Sequence, residues 1–223
     1  MKIKKYTYIM LAVLLFSGTA CSDFLDKEYD ATLSDEKVFT NQTMTREFLT
    51  DIYTNLPDGL APLNDDQFTG ASRDCMTDNA TSYWGLHYYT KVATDSYTAK
   101  DHPLLGQWNT DFAGIRKCNI FLNNAQASVV GNAEKSGDDN KLYERYCNEA
   151  RLLRALFHFD LVCWFGDMLI VGENEDGTNI VFSMENPEQM NQARTPAADV
   201  LQWVADECDK VKDALPFRYS NET

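Results

Sequence analysis

Shortages in this chain narrow its function first. Histidine is scarce: there are three in 223 residues, at 87, 102 and 158, with no His-Glu-x-x-His pair to hold a metal. The six cysteines include no Cys-x-x-Cys, so zinc and dithiol chemistry lack their usual ligand spacing. Neither a Gly-x-Ser-x-Gly elbow nor a glycine-rich phosphate loop occurs, which removes the commonest signatures of nucleophilic hydrolysis and nucleotide binding. Carboxylates are abundant, so hydrolysis by a pair of acids is not excluded by count, yet nothing in the sequence places two of them together. No catalytic residue, metal ligand set or cofactor is indicated.

Long apolar runs are also missing. The stretch from Tyr8 to Phe16 is shorter than the roughly 20 residues a membrane-spanning helix needs. It follows Lys2, Lys4 and Lys5 and leads into Ser17-Gly18-Thr19-Ala20-Cys21, the order of an export signal: positive end, apolar centre, small residues at the cut. A cysteine at that point resembles the lipobox of bacterial lipoproteins, in which it becomes the acylated first residue. Cys21 is thus the expected lipidation site, and residues 1–20 are the signal peptide. Ordinary cleavage after Ala20 is the alternative, and would leave Cys21 a plain thiol. Acyl chains at about 0.8 kcal/mol per buried CH₂ would hold the protein on a membrane without a spanning helix.

Positive charge is the third shortage. Without residues 1–20 the chain carries 17 Lys and Arg against 34 Asp and Glu, a net charge of −17. Nucleic acid and anionic lipid headgroups, which need clustered Lys and Arg, are excluded as partners. Hydrophobic residues at 44% and aromatics at 12% are nevertheless ample for a buried core, so disorder is not the class.

Residues 21–33 read as a polar tether and 34–223 as a helical domain. Thr40-Asn41 can cap a helix carrying Met44, Phe48, Ile52 and Leu56, with Arg46, Glu47 and Asp51 on its outer face and Pro57-Asp58-Gly59 as its stop. Residues 57–102 show no sustained period and read as a long loop region, a kind of segment that tends to carry function. A second helix is expected from His102 or Pro103 to Gln126, with Leu105, Trp108, Phe112, Ile115, Asn119 and Leu122 on one stripe. The strongest pattern spans 140–165: Tyr146, Ala150, Leu153, Phe157, Leu161 and Trp164 form one face, and Leu152, Leu156, Phe159 and Val162 a second. Apolar on two sides, it reads as a central helix ended by Gly166. Residues 167–182 suggest a small hairpin around Glu175-Asp176-Gly177. The last helix is expected to start at Thr195-Pro196 and to carry Val200, Val204, Cys208, Val211 and Leu215 before Pro216.

Cys118, Cys147, Cys163 and Cys208 fall within these helices and read as small buried hydrophobes, with Cys75 in a loop. Trp108, Trp164 and Trp203 are assigned to the core, and Arg151 and Arg154 to ion pairs with acids of neighbouring helices.

The opening Cys21-Ser22-Asp23-Phe24-Leu25-Asp26, the Trp108…Phe112…Ile115…Asn119 helix, the run from Glu149 to Phe159 with Phe165-Gly166 beyond it, and Arg194-Thr195-Pro196 leading to Val200…Leu215-Pro216 together resemble the SusD/RagB family. One departure is Gly166-Asp167-Met168-Leu169, where the family usually has a Gly-x-x-Pro turn. The resemblance implies an all-α scaffold of tetratricopeptide-like helix pairs with long ligand-binding loops, of which this chain would be the amino-terminal part. It also implies a lipoprotein on the outer face of the outer membrane that binds glycan, has no catalysis of its own, and caps a TonB-dependent, SusC-like transporter. The acids after Cys21 would then serve as a surface-export signal.

Sugars are held by aromatic faces and by planar polar side chains. Residues 65–89 supply both, in Asp65, Asp66, Arg73, Asp78, Asn79, Tyr83, Trp84, Tyr88 and Tyr89. Trp84, Tyr83, Tyr88, Arg73, Asp78 and Asn79 are the candidate ligand contacts. The alternative is that these aromatics pack the loop onto the helices. Two other readings of the chain stay open: family members also take peptide and other non-sugar cargo, and a scaffolding lipoprotein would bind protein partners alone.

Overall fold

A computed structural model describes residues 35–57, 73–81, 88–98, 100, 104–130, 139–183, 189 and 191–215. Met1–Lys37 and Val38–Thr223 are separate units, and the following concerns the second. Cys21, Tyr83, Trp84, Pro103 and the connection 131–138 lie outside the described residues. Helices in chain order are α1 (Asp35–Phe39), α2 (Gln42–Tyr53), α3 (Tyr88–Ala93), α4 (Leu105–Asn124), α5 (Ala127–Val130), α6 (Asp139–Phe165) and α7 (Ala197–Val211), with a 3₁₀ turn at Arg73–Met76. The architecture is mainly helical, and no strand ladder occurs among the described residues.

Each long helix follows from its sequence, with local corrections. Asn41 caps α2 as its type suggests, its side-chain oxygen accepting from the Met44 N–H at 3.1 Å. The buried stripe of α2 is Thr45, Leu49 and Ile52, and Met44 is exposed. Thr45 is tolerated inside because its hydroxyl donates to the backbone carbonyls of Val38 and Asn41. The helix α6 runs from Asp139 to Phe165, and Gly166 at φ 68 takes the left-handed conformation that ends it, its N–H reaching the Val162 carbonyl at 3.0 Å.

Thr195 does not cap α7. Its backbone is instead paired with Met168 in an antiparallel bridge, and Asp167 Oδ1 accepts from the Ala197 N–H at 2.9 Å, so the cap comes from across the chain. The Gly166-Asp167-Met168-Leu169 turn thus supplies the carboxylate that starts the next helix. The expected hairpin reduces to one bridge, Glu173 with Asn179, closed by the Gly177 N–H on the Asn174 carbonyl at 3.0 Å. The apolar residues 168–171 do not pair with 180–182, because Met168 is committed to Thr195.

The core is built around α6. Gln107 of α4 meets Asp160, and Asn119 meets Arg154, so α4 and α6 run antiparallel; Arg154 meets Glu207 and His158 meets Trp203, so α7 is antiparallel to α6 as well. At the α4–α6 crossing a Cβ on Gly114 would lie 2.6 Å from the Phe157 ring, so only glycine permits that approach. Ile115, Cys118, Phe121, Ala150, Leu153, Phe157 and Leu161 fill the interface. The second apolar face of α6 is covered only in part: Val162 is buried, but Leu156 and Phe159 are 41% and 47% exposed. On α4, Leu105 is exposed, so the buried stripe is centred on Ile115, Cys118 and Asn119.

Candidate functional site

Two buried acids organise the interior. Glu207 of α7 is 3% exposed, and its Oε2 accepts from Arg154 Nη2 at 2.7 Å while its Oε1 accepts from Lys210 Nζ at 2.6 Å. Burial alone would raise its pKa, but the hydrogen bonds from Lys210 and Arg154 outweigh that and hold it below the usual carboxylate value. Arg154 Nη1 donates to Asn119 Oδ1 at 2.8 Å and to Asn179 Oδ1 at 2.6 Å, and Trp203 lies 5.7 Å from the guanidinium carbon. Asn119 Nδ2 in turn donates to the carbonyls of Val171 and Ile180. One ion pair therefore ties α4, α6 and α7 to both arms of the 167–182 segment. The ion pair expected for Arg154 is present, whereas Arg151 bonds Asn148 on its own helix and has no acidic partner among the described residues.

His158 completes this hub. Its Nε2 accepts the Val171 N–H at 3.0 Å, so the proton sits on Nδ1, which lies 2.8 Å from the Arg154 carbonyl. Burial, reinforced by the nearby Arg154 charge, lowers its pKa to about 4, and the ring is neutral.

The second acid, Asp111 of α4, is fully buried and shares Gln107 Nε2 with Asp160 of α6, at 3.1 Å and 2.9 Å. Burial, with the adjacent Asp160 charge, raises its pKa to about 8 against the opposing Gln107 bond. Gln107 Nε2 thus brings the two carboxyls together, and Asp111 is the one held in its protonated form. Glycosidase pairs stand about 5–9.5 Å apart around the bond they cleave. This pair shares one Gln107 amide inside a helix interface, with no open space around Asp111 for a bond to be cleaved. Cys118, also buried, has its thiol pushed up to about 12 and is no nucleophile.

Of the sequence-derived contacts, Asp78 and Asn79 are exposed just after the 3₁₀ turn that Arg73 opens. Tyr88 begins α3 and does not lie in loop; six residues are too few to show a helical repeat in sequence. Because α3 packs on the Arg73–Met76 turn, the segments carrying Arg73, Asp78, Asn79 and Tyr88 come together. Cys75, Met76 and Ala80 pack against Leu104, Trp164 and Phe165 at the amino end of α4. Trp108, Trp164 and Trp203 are partly buried, as the core assignment requires, and Cys163 is exposed, contrary to its assignment.

At the other end of α4 lies an open pocket of about 270 Å³ that the sequence reading missed. Asn123, Asn174, Thr178, Asn179, Gln189 and Gln192 line it together with the apolar Ile180 and Val181, and no charged side chain lines it among the described residues. Asn123 and Asn179 are locked together by three hydrogen bonds of 2.8–3.0 Å, and Asn179 is fixed from behind by Arg154. The visible sign in sequence was Asn119, a polar residue on an apolar stripe, whose amide carries the pocket's backbone.

No group of three or more metal-ligating side chains occurs among the described residues, and no helix there is long and apolar enough to cross a membrane. The fold is an α-helical scaffold whose described residues form a polar pocket at one end of α4 and place the polar Arg73–Ala80 segment near the other. Residues 23–223 match the SusD-like family model described as "Starch-binding associating with outer membrane", and the chain belongs to that family. Its fold is similar to that of a SusD-like carbohydrate binding protein from Bacteroides fragilis NCTC 9343, with a TM-score of 0.59 and 24% identity over 81% of this chain. The match covers 33% of that protein, so this chain spans about a third of its length. Comparison with curated proteins yields no match.

Proposed function

We propose that this chain belongs to a surface lipoprotein of the outer membrane that binds glycan and passes it, chemically unchanged, to a TonB-dependent, SusC-like transporter. In this reading residues 1–20 are a signal peptide, Cys21 is acylated, 21–33 form the tether and 34–223 are the amino-terminal part of the binding domain. Membership of a family described as starch-binding and outer-membrane-associated is the observation that carries it. The Asp111–Asp160 pair is closed off in the α4–α6 interface, Asp111 being fully buried, which supports binding over hydrolysis at that pair.

Trp84, Tyr83 and Tyr88 would cover the C–H faces of sugar rings, while Arg73, Asp78 and Asn79 take hydroxyl pairs. Asp78 and Asn79 are already exposed to do so. Purification of the full chain from outer membranes tests the reading. The expected result is an acylated amino-terminal Cys21, a co-purifying transporter barrel, and glycan binding weakened about tenfold or more by Trp84→Ala, in line with loss of a stacked aromatic at about 1–3 kcal/mol. An unmodified thiol at Cys21 would remove the anchor, and absence of any barrel would remove the delivery step.

A further inference from the structure

We propose that the carboxamide pocket at the carboxyl end of α4 is a second sugar site, which takes a single uncharged sugar ring and reads its hydroxyls without stacking. Its geometry separates it from the loop contacts. Leu104, beside the Cys75–Ala80 segment, and Asn123 mark the two ends of α4, so that segment and the pocket lie about 28 Å apart at 1.5 Å per residue.

The free valences set the chemistry. Asn123 and Asn179 satisfy one another, which makes them a rigid wall. Asn174 spends one side-chain N–H on Thr178 Oγ1 while its side-chain oxygen Oδ1 accepts no hydrogen bond from the described residues, and Gln189 and Gln192 make no hydrogen bond to the described residues. A carboxamide presents a donor and an acceptor in one plane, the complement of a vicinal diol, in which one hydroxyl accepts and the next donates. Three such groups together with the apolar Ile180 and Val181 suit a polyhydroxylated ring with one apolar face.

Size and charge narrow it further. At about 270 Å³ the pocket falls just under the usual 300–1,000 Å³ range of ligand sites, which admits one ring and not a chain. Among the described residues no cation lines it, Arg154 behind Asn179 is already paired with Glu207, and Glu175 and Asp176 stand in the adjoining turn, so an ionised sugar meets no free counter-charge from them. Uronic and sialic acids are therefore selected against.

The choice of a sugar as ligand rests on the glycan-binding reading, and the test separates the two. Side-chain NH₂ signals of Asn174, Gln189 and Gln192 in an ¹⁵N-labelled full chain would be followed during titration with methyl glycosides of glucose, galactose, mannose and N-acetylglucosamine, with methyl glucuronide as the charged probe. At least one neutral glycoside should shift these signals, the glucuronide should not, and Gln189→Ala/Gln192→Ala should weaken that response at least tenfold while an Asn79→Ala variant retains it. Both glutamines are exposed, so the double variant should keep its melting temperature. If glycosides bind, but these amides stay still or the double variant binds equally well, the pocket proposal falls and the glycan reading stands. If no glycoside or longer glycan binds anywhere, both fall.

Discussion

Glu207 and Asp111 are both buried acids on helices packed against α6, yet they are held in opposite states. Glu207 stays charged, because Arg154 and Lys210 reach it within 2.7 Å. Asp111 meets only Gln107 and another carboxyl, and it keeps its proton to a pKa of about 8. Burial pushes both upward, so the partner decides the outcome. The difference also follows the layout of the molecule: the charged hub braces the pocket segment through Asn119 and Asn179, and neutral Asp111 with Gln107 and Asp160 braces the α4–α6 interface near the amino end of α4.

Breaking the charged half should have the largest effect. Arg154→Met leaves Glu207 with only the half-exposed Lys210, a loss of about 3–5 kcal/mol, which thermal unfolding would register as a fall of roughly 10 °C or more. Arg154→Met/Glu207→Leu should recover part of it, since no buried charge is then orphaned, while the buried Asn119 Oδ1 still lacks its donor. A double variant as unstable as the single one would show that the charge pair is not the source.

The neutral half is tested by pH. With its folded pKa raised from 3.8 to about 8, Asp111 contributes stability that is full below the unfolded value and is lost as pH rises through 8. Asp111→Asn keeps a hydrogen-bond donor toward Asp160 and removes the titration. It should gain on the order of 2 kcal/mol at pH 8 and little at pH 4. Equal effects at both pH values would mean that Asp111 does not hold its proton into the neutral range.

His158 acts in the other direction. Its pKa falls from 6.5 to about 4 on folding, so its contribution is present above 6.5 and is lost as pH falls toward 4, where protonation would also set two donors, Nε2–H and Val171 N–H, against each other. His158→Gln should narrow the Tm gap between pH 7 and pH 5, by roughly 2–4 °C per kcal/mol removed. An unchanged gap would place the acid sensitivity elsewhere. The smallest effect is expected for Lys117→Ala, whose 2.7 Å pair with Asp51 sits at 30% and 56% side-chain exposure; under about 1 kcal/mol should be lost, and less in high salt.

The long helices were legible because their apolar stripes repeat over about three or more turns, as with Ala150, Leu153, Phe157 and Leu161. Short elements were not: α1, α3 and α5 have four to six residues and cannot show a period. Thr195 looked like a cap, but a tertiary bridge to Met168 used its backbone and Asp167 took over the role. Leu156 and Phe159 satisfied the helical spacing without being covered, since periodicity says which residues share a face and not what lies against it. Arg154 as an ion-pair member followed from a charge on an apolar face; Glu207 carried the same signal between Val204 and Val211 and went unread. The pocket was invisible because its residues come from three separate segments, and only the hydrogen bonds of Asn123, Asn179 and Arg154 assemble them.

The central claim, binding without turnover, is tested most directly by equilibrium titration of the full chain with neutral oligosaccharides of the starch type and a wider glycan panel, followed by recovery and mass analysis of the ligand. Saturable binding with the ligand recovered intact is the predicted result. Cleaved ligand, or no binding by any member of the panel, would contradict it.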